Sequence, residues 1–194
     1  MLENIHINKS GEKMEDRRIR KNKKLLKQAL LLLLAKHSIY EISITELCRL
    51  ADVNRSTFYY HYSYIEQLIQ DVHFDIFEKI YNFINAPQKI NQPFSRKEQL
   101  IELFNKIKSG EGEIALIFRK GDPKLFINDC VKYYVDRFWN ENIDTDKKYV
   151  LLYNLSGGMI MIFQWISEGF PISSEKLAEI LYETSVKSWI YEDQ

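Results

Sequence analysis

The chain has 194 residues, 45% of them apolar and 28% charged, enough for one or two folded domains with a sizeable core. Seven glycines and four prolines exclude collagenous, disordered and turn-rich all-β readings. The two cysteines, Cys48 and Cys130, cannot build a disulfide framework, and no unbroken apolar run approaches the roughly 18 residues of a membrane span. The first residues are charged where a signal peptide needs an apolar stretch, so a cytoplasmic, mostly helical protein with no membrane segment is expected.

Formal net charge is zero, yet the charge is unevenly placed. From Arg17 to Tyr62 ten basic residues face three acidic ones, a local +7 that leaves −7 for the rest of the chain. A cationic module joined to a mildly acidic one points to a polyanion as partner of the first. A solvated helix face is the plain alternative.

Residues 1–15 read as a polar, disordered arm. Asp16 is the expected cap of a first helix that carries Arg20, Lys24 and Lys27 before entering an apolar stretch. There Leu26, Leu30 and Leu33 recur at helical spacing, and Leu25, Ala29 and Leu32 repeat it one residue earlier, so a wide buried arc is expected. Cations at a helix start oppose the macrodipole, an effect that nearby phosphates would reverse. Ser43-Ile-Thr-Glu46 is a capping box for a short second helix, broken at Asp52-Val53-Asn54. Arg55 to His61 makes barely two turns. Ser63-Tyr-Ile-Glu66 is a second capping box, opening a long helix with Ile65, Leu68, Ile69, Val72, Ile76 and Ile80 on one side. Two short helices around a tight turn, held by long apolar ones, make a helix-turn-helix unit.

A connection is expected around Pro87 and Pro93, and Ser95 to Glu98 is a third capping box. Further helices are expected near 114–119, from Asp122-Pro123 to Trp139, from Asp146 to Glu168 behind a Thr145 cap, and from Ser173 or Ser174 to about Ile190. The fold expected is all-α, with about nine helices. An N-terminal helix-turn-helix domain spans 16–63, and a helical dimerisation and effector domain spans 64–194.

The third helix carries the most chemistry. Arg55, Ser56, Thr57, Tyr59, Tyr60 and His61 gather donors and aromatic edges on one small surface that can read bases and hold phosphates. Phe58 reads as core, with Tyr62 beside it. The run from Ile44 through Thr45 and Arg55 to Tyr62, followed by Glu66-Gln-Leu-Ile69, resembles the DNA-binding domain of the TetR/AcrR family of bacterial transcription regulators. The resemblance covers about 50 residues clearly. It implies an all-α homodimer that sets two recognition helices in successive major grooves of a palindromic operator in double-stranded DNA. By position it implies base reading for Arg55, Ser56 and Tyr59, and backbone contact for Thr45, Thr57, Tyr60 and His61. Two residues depart from the family pattern: Asp52 stands where the turn usually has glycine, and Ile65 where a phosphate-touching lysine is common. The missing cation leaves an alternative open, a protein-binding coregulator like the regulators of dihydroxyacetone utilisation, with weak DNA affinity.

In the C-terminal half, Phe104, Phe118, Tyr133, Phe138, Tyr153 and Trp165 could line a pocket for a small apolar or aromatic effector. For most of them an aromatic core is the weightier reading. Gly157 and Gly158 weaken a helix by about 1 kcal/mol each relative to alanine, so a closely approaching neighbour is expected there. With Ile162, and Leu181 in the last helix, they are expected to form a dimer interface. Asp71 and Asp75 flank His73, which points about 160° away from them, and solvated charge outweighs a metal site there. No phosphate loop, nucleophile elbow or metal-ligand spacing is present, so neither an enzyme, a cofactor nor a metal is expected.

Overall fold

A computed structural model describes residues 9–84, 96–138 and 145–186, without the side chains of 9–16, Phe138, Thr145, Ser185 and Val186. Among the described residues there are nine α-helices and no strand. They are α1 (Lys9–Leu34), α2 (Ile44–Ala51), α3 (Arg55–His61), α4 (Ile65–Ile84), α5 (Arg96–Ser109), α6 (Gly112–Lys120), α7 (Pro123–Phe138), α8 (Thr145–Ser167) and α9 (Ser174–Leu181). The chain divides into two compact units between Ile69 and Gln70, inside α4.

In the first unit α1 begins at Lys9, seven residues ahead of the expected cap. Glu12, Lys13, Met14 and Glu15 are good helix formers, so the helix propagates through part of the expected arm instead of starting at Asp16. Arg17 to Lys24 therefore lie two turns or more inside the helix, beyond the first-turn reach of the macrodipole. Their mutual repulsion remains, because like charges such as Arg17 and Lys21 at i, i+4 cost about 0.2–0.5 kcal/mol per pair. Leu26, Ala29, Leu30, Leu33 and Leu34 are buried, but Leu32 is 60% exposed. It stands about 200° round the helix from Leu30, outside the arc that packing uses.

The Ser43 hydroxyl accepts from the Glu46 N–H at 3.2 Å and starts α2. Asp52 ends α2 in the left-handed region, φ 52° and ψ 47°, while the Val53 N–H closes back on the Cys48 carbonyl at 3.1 Å. A carboxylate residue therefore holds the conformation that usually calls for glycine. The expected box at Ser63 is altered: the Ser63 N–H donates to Gln67 Oε1 at 2.7 Å, so the reach-back comes one residue later than Glu66. A further turn, Ile39–Glu41, is held by the Ser38 N–H donating to the Glu41 carboxylate at 2.8 Å, a feature that the periodicity did not reveal. Ser95 lies outside the described residues.

The second unit contains the rest of α4 and α5 to α9. Asp122 caps α7 through the Leu125 N–H at 2.8 Å, with Pro123 at the first helical position. Ser173 caps α9 through the Lys176 N–H at 3.2 Å. α8 stops where Gly169 and Phe170 turn to positive φ, 74° and 65°. The Phe170 ring packs on Trp165 at 4.7 Å, and Trp165 Nε1 donates to the Ile172 carbonyl at 2.8 Å, which fixes the turn. After α9 a π-helical turn, Tyr182–Val186, replaces part of the longer helix expected, and the residues from 187 to 190 lie outside the described set. By length and mean hydropathy α8 is apolar enough to cross a membrane, which a count of unbroken apolar runs does not show. Leu151, Ile162 and Trp165 on it are nevertheless buried within the unit.

Candidate nucleic-acid interface

α3 is short, so its position depends on what it buries. Phe58 is fully buried and Tyr62 nearly so, their rings 5.7 Å apart, with the Lys23 ammonium 5.2 Å over the Tyr62 ring. These contacts lock α3 against its own unit and leave the other side chains turned outward. Arg55, Ser56, Tyr59 and Tyr60 are exposed, Thr57 and His61 are half-buried, and Thr45 is exposed on α2. All seven residues expected at a DNA surface therefore keep at least part of their side chains accessible.

Burial sets the ionisation of two groups here. It pushes the Cys48 thiol up, against the opposing charge of Arg55, so Cys48 stays a neutral apolar residue. Burial, helped by the Lys23 charge, holds the His61 imidazole below its ordinary 6.5. Its Nε2 is shielded and has no hydrogen-bond partner among the described residues.

A cleft of about 520 Å³ opens between α1 and α3. Arg18, Ile19 and Asn22 form one wall, and Ser56, Thr57, Tyr60 and His61 form the other. Spacing had marked the α3 wall but not Arg18 and Asn22; their i, i+4 placement on a basic helix was the signal available.

No family model and no curated protein matches the chain. Among solved structures, a TetR transcriptional regulator from Streptococcus agalactiae 2603V is similar at a TM-score of 0.58 and 21% identity, covering 90% of this chain and 98% of its own. The chain has the TetR-regulator fold. The dihydroxyacetone kinase operon activator DhaS is similar at a TM-score of 0.49 and 16% identity, over 86% of this chain and 95% of that one. RolR, solved in complex with the ligand resorcinol, is similar at 0.48 and 17%, over 87% and 89%.

Within this TetR-like fold the expected effector residues do not all meet in one place, although Phe118 and Tyr133 join one aromatic cluster through Phe126 and Phe77. Phe118 stacks on Phe163 at 5.4 Å and packs on Phe126 at 4.8 Å, whereas Phe104 sits 5.9 Å from Trp165. Tyr133 turns to α4, donating its hydroxyl to Glu78, which also accepts from Arg137 at 2.6 Å. Burial, then that hydrogen bond, pushes the Tyr133 phenol up to about 12. Tyr153 is 77% exposed, and the Phe138 side chain lies outside the described residues. The first three fill a core because aromatic rings at helical spacing pack on one another as readily as on a ligand.

The expected dimer residues also separate. Ile162 and Leu181 are buried inside the protomer, and a Cβ on Gly158 would stand 3.0 Å from Leu181 Cδ1. The close neighbour of Gly158 is thus the chain's own last helix. Gly157 has nothing within 4 Å of its Cβ position. It lies on an exposed stripe of α8 with Tyr149, Tyr153 and Ile160, which sequence spacing had not separated from the buried side. Among the described residues no group of three or more His, Cys, Asp or Glu side chains is placed to hold a metal.

Proposed function

We propose that the protein is a TetR-type DNA-binding transcription regulator, acting as a homodimer on a palindromic operator and as a repressor that a small apolar or aromatic effector releases. The observation that carries this reading is α3 itself: Phe58 is fully buried while Arg55, Ser56, Tyr59 and Tyr60 stand exposed on the same two turns. An arginine fork and tyrosine edges on a helix of this size suit base edges in a major groove, and the hydroxyls suit phosphate oxygens. The exposed cations of α1 supply the sequence-independent attraction that duplex DNA requires. The apolar stripe on α8 supports a second copy as partner. Effector release follows if ligand and DNA favour different states of the dimer. A cytoplasmic location goes with that function.

The test is selection of duplexes from a random pool by the full chain, followed by fluorescence anisotropy across salt concentrations. A selected palindrome bound with a steep salt slope is the expected result. Absence of binding to any duplex at low salt would overturn the reading in favour of a protein-binding coregulator.

A further inference from the structure

The cleft between α1 and α3 is defined by the chemistry of its walls. Donors line it from both sides, and among the described residues no carboxylate does: the Arg18 guanidinium and Asn22 amide on α1, the Ser56 and Thr57 hydroxyls on α3. His61 lines the same wall, its imidazole held below the ordinary 6.5 by burial and by the nearby Lys23 charge. The sequence has no acidic residue from Arg17 to Tyr40, and Lys21 stands about 60° round the helix from Arg18. Arg18 and Lys21 have no hydrogen bond or ion pair to a side chain among the described residues. Such a set is poor at holding the fold together and well made for an anion.

We propose that this cleft seats a phosphodiester of a DNA strand, with Arg18 and Asn22 of α1 closing on it opposite Thr57 and His61 of α3. The inference rests on the regulator reading above and deepens it. A major groove is about 12 Å wide and admits one helix, whose own diameter is about 10–12 Å. With α3 in the groove, a helix packed beside it can reach only the ridge of the backbone. The cleft is therefore where a strand leaving the groove runs. Arg18 suits that place because its planar fork can hold two phosphate oxygens at once, and Asn22, one turn on, adds a neutral donor to the same group. Arg55 and Tyr59 line no part of the cleft and remain available to base edges, while Ser56 lines it and stands at the border between base reading and backbone positioning.

The experiment compares the full chain with Arg18→Ala and Asn22→Ala on the selected duplex and on an unrelated one. A second series replaces each phosphate in turn by a neutral methylphosphonate. Arg18→Ala is expected to weaken both duplexes alike, on the order of tenfold at moderate salt, and to lower the salt slope by about one. One methylphosphonate position should weaken the unaltered chain comparably and have little effect on Arg18→Ala. Arg18→Gln, which keeps the stem and a donor but not the charge, should lose the same slope, and an unchanged melting temperature establishes that each variant is folded. A full slope in Arg18→Ala, or the same methylphosphonate profile in both proteins, would overturn the clamp and leave the regulator reading standing. No duplex binding by the unaltered chain would remove both.

Discussion

His73 Nδ1 and Asp129 Oδ2 lie 2.7 Å apart, with the imidazole 1% exposed and the other carboxylate oxygen accepting from Gln70 Nε2 at 2.8 Å. The contact ties α4 to α7 inside the second unit. Around it the His73 ring meets Phe126 at 4.9 Å, so the polar group sits in an aromatic setting where an unmatched donor is costly. One turn further along α4, Glu78 makes a more exposed link to Tyr133 and Arg137.

Replacing Asp129 by alanine is therefore expected to destabilise the protein by about 1–3 kcal/mol, since His73 and Gln70 lose their acceptor while His73 stays buried. Asp129→Asn retains one acceptor oxygen and should cost less. Urea unfolding of both variants checks this. Equal and small losses would mean that the pair contributes little to the fold.

On α8 the two glycines should behave differently. Nothing stands near the Cβ position of Gly157 in the protomer, so Gly157→Ala should stabilise an isolated protomer by about 1 kcal/mol through helix propensity alone. If a second copy packs on the stripe of Tyr149, Tyr153, Gly157 and Ile160, the same substitution weakens association. Ile160→Glu should split the dimer outright, because Ile160 is 58% exposed and carries no core packing to lose. Sedimentation equilibrium measures both. A dimer unaffected by Ile160→Glu would move the interface elsewhere. Gly158→Ala, by contrast, meets only the flexible end of Leu181 at 3.0 Å and should change stability little.

What could be read from sequence and what could not divide along a physical line. Local hydrogen bonds are written in nearby residues, so the Ser43 and Asp122 caps are legible and the last cap is narrowed to Ser173 or Ser174, of which Ser173 makes the bond. The left-handed Asp52 is legible only through the family resemblance. The inward Phe58 is legible directly, because a lone apolar side chain in a polar helix has one place to go. The partner of His73 was not legible, since Asp129 is 56 residues distant and no spacing rule connects them. Nor could spacing tell the buried from the exposed side of α8, a helix apolar nearly all round, and so Ile162 was grouped with Gly157 although they face different ways. Arg18 and Asn22 were hidden among neighbouring cations until a second helix stood opposite them.

Protonation offers a further check on α3. The folded protein holds His61 below the 6.5 of a free imidazole, so the unfolded chain takes up a proton first as pH falls. Stability linked to this group is thus complete above about 6.5 and declines as pH drops through 6.5 toward the folded value. Melting temperature should fall over that window, and His61→Gln should flatten the fall. Carboxylates held low, such as Glu78 by its Tyr133 hydrogen bond, act only further down, near and below 4.5, and do not confuse the comparison. An identical pH profile in the variant would remove the burial argument for His61.

The last prediction concerns Ile65, the first residue of α4 and half-buried in the first unit. The TetR/AcrR resemblance implies a phosphate-touching lysine at this place, and the chain here has Tyr64 and Glu66 on either side with no cation. Ile65→Lys is expected to tighten binding to any duplex and to steepen the salt dependence by up to about one counterion per subunit. Half-burial permits this without serious loss of fold, because a lysine can lay its methylene stem where the isoleucine packs and keep its ammonium in water. Some stability is still given up. The ammonium joins the first turn of a helix, where a positive charge opposes the macrodipole by about 0.3–1 kcal/mol, and a melt should record a small decrease. A thermal melt run alongside anisotropy titrations at two salt concentrations separates the effects. A slightly less stable protein with a steeper salt slope is the outcome expected if α4 starts beside the DNA backbone. A stable variant whose affinity and slope do not change would place residue 65 away from DNA and remove the docking that the regulator reading requires.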